Sequence, residues 1–116
     1  MRDGSGTLVI DGVDLLRAMA EDLVGRVPLP TVAARFHNGL AAALVESCRL
    51  VRDATGLEQV ALSGGTFQNL LLLERVTAGL EAQSFTVHRH RRVPANDGGI
   101  SLGQAMVAGA RLRQTR

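Results

Sequence analysis

Val60-Ala61-Leu62-Ser63-Gly64-Gly65-Thr66-Phe67-Gln68-Asn69 is the stretch on which the reading of the fold turns. Its first three residues are apolar without polar alternation and run straight into a glycine pair, as a buried parallel strand does where it ends at a ligand-binding turn. The spacing of Phe67, Leu70, Leu71, Glu74, Val76-Thr77 and Leu80 predicts a helix after the glycines, stopping by Gln83-Ser84. Phe85-Thr86-Val87-His88 then has strand character, and Val93 to Gly99 is a loop of turn formers. Ile100, Leu102, Ala105, Met106, Val107, Gly109, Ala110 and Leu112 predict a last helix. Upstream, Thr7–Ile10 reads as a short strand closed by Asp11-Gly12, and residues 12–24 as a helix with Gly25 as its C-cap glycine. Pro28 and Pro30 stiffen a connection to the longest helix, whose stripe runs from Val32 through Phe36, Leu40, Leu44 and Cys48 to Val51 and ends near Thr55-Gly56. The order β-α-α-β-α-β-α argues for the α/β class, with a thin sheet of three strands that contains a parallel pair.

At 116 residues the chain is one small domain or a piece of a larger one. All 13 basic residues are arginine, which excludes Schiff bases, a P-loop lysine and a lysine general base. With no Trp or Tyr and only Phe36, Phe67 and Phe85, the sequence also lacks the stacking residues of single-stranded nucleic-acid binders. The charge is uneven. Residues 1–85 carry seven Arg against ten acids, whereas residues 86–116 carry six Arg against Asp97 alone. Such a basic third is either a solvated arginine surface or a site for phosphate or nucleic acid. Cys48 is the single cysteine, so neither an internal disulfide nor a thiolate cluster exists. With no apolar leader at Met1 and no run long enough to span a bilayer, a soluble, cytoplasmic protein is expected.

Two segments carry candidate chemistry. In the first, the glycine pair lets backbone N–H groups turn outward, and the positive end of the following helix favours an anion by about 0.3–1 kcal/mol. A Gly-Gly turn between strand and helix is equally an ordinary connection. Ser63 is a nucleophile only with a base beside it, which the sequence does not place there. Asn69 falls about one turn into the expected helix, either within reach of a ligand or as a surface residue. In the second segment, Asn96-Asp97-Gly98-Gly99, Asp97 is either a helix N-cap or a hard oxygen ligand for a metal. One carboxylate cannot hold a metal, and the nearest partners, His88 and His90, share a face only if the strand continues that far. His37, beside Phe36, reads as a packed or hydrogen-bonded structural residue.

Taken together, LSGGTFQN (residues 62–69), LLLERV (71–76) and RRVPANDGGISLGQA (91–105) closely resemble the C-terminal end of the hydrogenase-maturation carbamoyltransferases, the HypF family. AARFHNGLAAAL (33–44) looks like that family's preceding helix, and the resemblance runs from about Leu15 onward. Members are much longer. The resemblance implies that residues 1–116 form a single partial domain, the C-terminal subdomain of a TsaD-like carbamoyltransferase domain with an actin/Hsp70-like (ASKHA) ATPase fold. It implies transfer of a carbamoyl group from carbamoyl-adenylate, made from carbamoyl phosphate and ATP, to the C-terminal cysteine of a HypE-like acceptor protein. On this resemblance Ser63, Gly64, Gly65 and Asn69 bind the nucleotide or adenylate, and Asp97 completes a divalent-metal site. The family's histidine cluster, acylphosphatase-like segment, zinc-finger cysteines and adenylate-forming domain have no counterpart here, and His37, His88 and His90 do not match the cluster. The isolated chain is therefore expected to be catalytically inactive and to self-associate through a face meant for the rest of the enzyme. The alternatives are an O-carbamoyltransferase of the same superfamily and a non-catalytic module that binds a partner or RNA through residues 86–116.

Overall fold

The computed structural model describes residues 6–115. Four helices and two strands follow one another as α1 (Val13–Val24), α2 (Leu29–Thr55), β1 (Gln59–Leu62), α3 (Leu70–Ala82), β2 (Thr86–Arg89) and α4 (Ile100–Gln114), with 3-10 turns at Gly65–Gln68 and Asp97–Gly99. β1 and β2 pair in parallel, with Val60 opposite Val87 and Leu62 opposite Arg89. The α/β class read from the sequence is thus observed, as a helix-rich domain with a small parallel sheet.

The core lies where α2 and α3 meet the sheet. Leu72, Val76 and Leu80 recur every four residues, forming one stripe of α3, and are essentially inaccessible. They pack with Ala41 and Val45 of α2, Leu62 of β1 and Phe85. Gly79 makes the helix contact possible: a Cβ there would lie 2.8 Å from Val45 Cγ2. α1 approaches α2 in the same manner, since a Cβ on Gly39 would stand 2.6 Å from Leu15 Cδ1, and Arg35 meets Asp22 at 2.7 Å. At the far end, the Arg52 guanidinium sits 4.2 Å from the centre of the Phe85 ring and donates to the Gln83 carbonyl.

Several details differ from the sequence reading. Among the described residues Thr7–Ile10 forms no strand, only a bridge at Leu8, and the sheet has two strands rather than three. The reason is position: Leu8, Val9 and Ile10 line a groove with Ala43, Glu46, Ser47 and Leu50 of α2 instead of extending the sheet. Gly25 ends α1 with φ −73°, and the left-handed residue is Arg26 at φ 55°. At the end of α2, Gly56 takes the left-handed turn expected of it, with φ 76°. α3 starts at Leu70, so Asn69 lies at its N-cap rather than a turn inside it. α4 buries no residue, and Ile100, Leu102, Met106, Val107 and Leu112 are all exposed.

Candidate functional site

Both strands end at the same edge, and the two motif segments leave from it. Leu62 opposes Arg89, so the next residues, Ser63 and His90, emerge side by side. Ser63 Oγ lies 2.8 Å from His90 Nε2. No local pattern places a base beside Ser63, because that proximity depends on strand register, which only the paired sheet fixes. One residue further on, the Gly64 N–H donates to the Ala95 carbonyl at 2.8 Å. The glycine turn and the Pro94–Gly99 loop, far apart in sequence, are therefore one structural unit.

The two glycines of the turn do different work. Gly64 has φ 103° and ψ 156°, a region closed to residues with a Cβ, and its N–H is already used. Gly65 has no such backbone demand, and a Cβ placed on it would meet nothing within 4 Å. Among the described residues no acceptor takes the N–H of Gly65 or of Thr66, and both residues are exposed. The N–H groups of Gly65 and Thr66 open the 3-10 turn unbonded; at the start of α3, Asn69 Oδ1 accepts from the Leu72 N–H at 3.2 Å, while those of Leu70 and Leu71 find no acceptor among the described residues.

Asn69 is held from its other side by His37. The His37 Nδ1 is 2.7 Å from the Ala33 carbonyl, which requires a proton on Nδ1 and leaves Nε2 of the neutral ring as an acceptor. That acceptor takes a hydrogen bond from Asn69 Nδ2 at 2.8 Å. Turning the Asn69 amide over would set a donor against the Leu72 N–H, so the network assigns the orientation. One Nδ2 hydrogen remains free. The structural role expected of His37 is observed, and its bond to Asn69 is an addition that the sequence did not reveal.

In the second segment Asn96, not Asp97, caps: its Oδ1 accepts from the Gly98 N–H at 3.0 Å. The Asp97 carboxylate is exposed and takes part in no hydrogen bond or ion pair among the described residues. Pro94 closes the loop from below; a Cβ on Gly98 would lie 3.2 Å from its Cγ, and one on Gly99 2.9 Å from its carbonyl oxygen. His88 is turned to Gln59 Oε1 at 3.0 Å and does not join His90. No group of three His, Cys, Asp or Glu among the described residues is placed to hold a metal ion. No described helix is long and apolar enough to cross a membrane.

The chain is thus a small, helix-rich α/β domain in which a strand-to-helix glycine turn is tied to an Asn-Asp-Gly-Gly loop at the end of a parallel pair. The family described as "Carbamoyltransferase, Kae1-like Domain, second subdomain" matches residues 2–104. The chain belongs to this HypF carbamoyltransferase family. Carbamoyltransferase HypF of Rhodobacter capsulatus is 43% identical over 81 residues, covering 70% of this chain and 11% of the relative. A "Carbamoyltransferase HypF homolog" of Cupriavidus necator is 40% identical over 111 residues, covering 89% of this chain and 28% of the relative. The crystal structure of full-length HypF in the phosphate- and nucleotide-bound form superposes with a TM-score of 0.81 at 41% identity, covering 84% of this chain and 13% of that one. The chain thus spans between about a tenth and a little over a quarter of the length of these relatives.

Proposed function

We propose that this chain forms one wall of the adenylate cleft of a HypF-type carbamoyltransferase, as the C-terminal subdomain of its TsaD-like, ASKHA-fold domain. In this reading the whole enzyme passes a carbamoyl group from carbamoyl-adenylate, formed from carbamoyl phosphate and ATP, to the C-terminal cysteine of a HypE-like acceptor. The observation that carries the proposal is the space in front of Gly65. No described atom stands within 4 Å of where a Gly65 Cβ would lie, and the N–H groups of Gly65 and Thr66 beside that space find no acceptor among the described residues.

The work of this wall is binding and orientation. The N–H groups of Gly65 and Thr66 donate to a phosphate oxygen of the adenylate, with Ser63 beside them, and the free Nδ2 hydrogen of Asn69 points its donor to the same ligand. Gly64 acts through shape, since its own N–H holds Ala95. Through that bond the loop brings the unengaged Asp97 carboxylate to the same edge. A single carboxylate does not fit a divalent metal by itself, so Asp97 supplies one oxygen to a site whose other ligands lie outside the described residues. Lysine-free phosphate handling by backbone donors suits a chain whose basic residues are all arginine.

The test is titration of the purified chain with AMP, followed by calorimetry or NMR. Weak binding without turnover of carbamoyl phosphate and ATP is expected. Gly65→Val, which the fold accommodates, is expected to abolish it, whereas Arg91→Ala changes it little. Undiminished AMP binding by Gly65→Val overturns the site. A complex that instead weakens steeply with salt and depends on Arg91 supports the nucleic-acid reading.

A further inference from the structure

We propose that His90 is a positioning residue for the adenylate site: it holds the Ser63 hydroxyl as a third anion donor beside the N–H groups of Gly65 and Thr66. The assignment rests on the reading above and goes beyond it, because His90 lies in a different segment from the glycine turn. Three observations converge. Ser63 Oγ and His90 Nε2 are 2.8 Å apart at the end of the parallel pair. Neither side chain has another hydrogen-bond partner among the described residues. The N–H groups of Gly65 and Thr66, the two residues after Gly64, find no acceptor among the described residues.

A free serine hydroxyl rotates and donates wherever an acceptor offers itself. When Nε2 of His90 carries the proton it donates to Ser63 Oγ, which directs the hydroxyl hydrogen away from the ring and towards the space in front of Gly65. The relay Nε2–H to Oγ–H to phosphate oxygen then polarises along its length, and each bond strengthens the next. His90 touches no ligand in this arrangement and acts only through Ser63. A merely structural tie between loop and turn would make no demand on which way the hydroxyl points.

The experiment measures AMP affinity, thermal stability and side-chain ¹⁵N spectra of the intact chain and its variants. Ser63→Ala and His90→Ala are each expected to weaken AMP binding by about tenfold, the scale of one hydrogen bond to a charged group. The double variant is expected to be no weaker than either single one. His90→Gln, which keeps a donor near Oγ, recovers most of the affinity. In the free chain, Ser63→Ala is expected to shift the His90 Nε2 resonance. If Gly65→Val abolishes binding while His90→Ala leaves it unchanged, the positioning role fails and the adenylate site stands. If the two single effects add in full, or Ser63→Ala leaves the His90 resonance in place, the relay is likewise wrong. Wild-type chain that binds no AMP overturns the site and the relay together.

Discussion

The Gly64 N–H donates to the Ala95 carbonyl at 2.8 Å, and with this bond the protein joins the glycine turn to the Pro94–Gly99 loop. Gly64 reaches the geometry because its φ of 103° is free of a Cβ penalty. Ala95 reaches it because Pro94 and the two glycines after Asp97 fold the loop back on itself. The bond is short in space and long in sequence, so it reports on the integrity of the whole edge.

Glycine-to-alanine substitutions in neighbouring positions should therefore have opposite signs. At Gly99 a Cβ would lie 2.9 Å from the Pro94 carbonyl oxygen, and backbone atoms yield less than side chains. Gly99→Ala is expected to cost about 1–3 kcal/mol and to speed hydrogen exchange of the Gly64 amide. Gly103, within α4, meets nothing within 4 Å, and Gly103→Ala is expected to stabilise by roughly 0.5–1 kcal/mol through helix propensity. Equal effects of the two substitutions on denaturant midpoints would contradict the loop geometry.

The α2–α3 contact offers a sharper case. Gly79→Ala gains helix propensity of about 1 kcal/mol but drives a Cβ to 2.8 Å from Val45 Cγ2. Val45 is buried and β-branched, with little freedom to move aside. Net destabilisation of about 1–2 kcal/mol is expected. In a Val45→Ala background, where the obstruction is gone, Gly79→Ala should stabilise. A double-mutant cycle by urea unfolding that shows simple additivity would remove the contact from the account.

Asn69 separates capping from orientation. Asn69→Ala removes the acceptor for the Leu72 N–H and should cost about 1 kcal/mol. Asn69→Asp keeps that acceptor and adds a charge favourable at a helix N-terminus, so its stability should stay near wild type. Asp provides no amide donor for His37 Nε2 or for a ligand. Near-normal melting combined with weakened AMP binding is therefore expected of Asn69→Asp. A variant that melts early and binds normally would reverse the assignment.

How much of this was legible beforehand depended on range. The stripe Leu72, Val76 and Leu80 and the C-cap at Gly56 follow from local spacing and backbone chemistry, and α2 and α3 end close to where these predict. The start of α3 does not, because Asn69 competes for the N-cap and leaves Gly65–Gln68 as a separate 3-10 turn. The strand read at Thr7–Ile10 failed for a tertiary reason: β-forming residues were placed against α2 instead of a strand edge. Of the site, the glycine turn and the Asn96–Asp97 loop were visible as motifs. Their joining through Ala95, the approach of His90 to Ser63 and the bond between His37 and Asn69 all require the register of β1 on β2 or the packing of α2 on α3. No local pattern encodes those.

Cys48 lies half-buried against the core, and burial pushes its thiol above the ordinary range. Its folded pKa exceeds the unfolded one, so the folded state binds the proton more tightly. The associated stability is complete below the unfolded thiol value and is lost as pH rises from there through the raised folded value. Unfolding free energy should therefore fall on the alkaline side, with the fall reduced in Cys48→Ala. Alkylation of Cys48 should also be slower in the folded chain than in denaturant at the same pH. Equal rates would mean that the thiol is not held in the interior.

The last helix sets the behaviour of the chain in isolation. Ile100 and Val107 lie on one side of α4 and Leu102 and Met106 on another, so its apolar residues do not form a single stripe. A helix apolar on several sides is normally enclosed by other elements, yet Met106 is 61% and Leu112 69% exposed. The relatives are several times longer than this chain, and the remaining length of such a relative is the natural cover for this helix. Without that cover the cheapest burial is against another copy, and the purified chain should self-associate at tens of micromolar. Leu102→Glu combined with Met106→Glu should shift the equilibrium towards monomer while leaving AMP affinity unchanged, since neither residue belongs to the proposed site. Light scattering across a dilution series decides the matter: a monomeric mass at every concentration would show that α4 needs no partner.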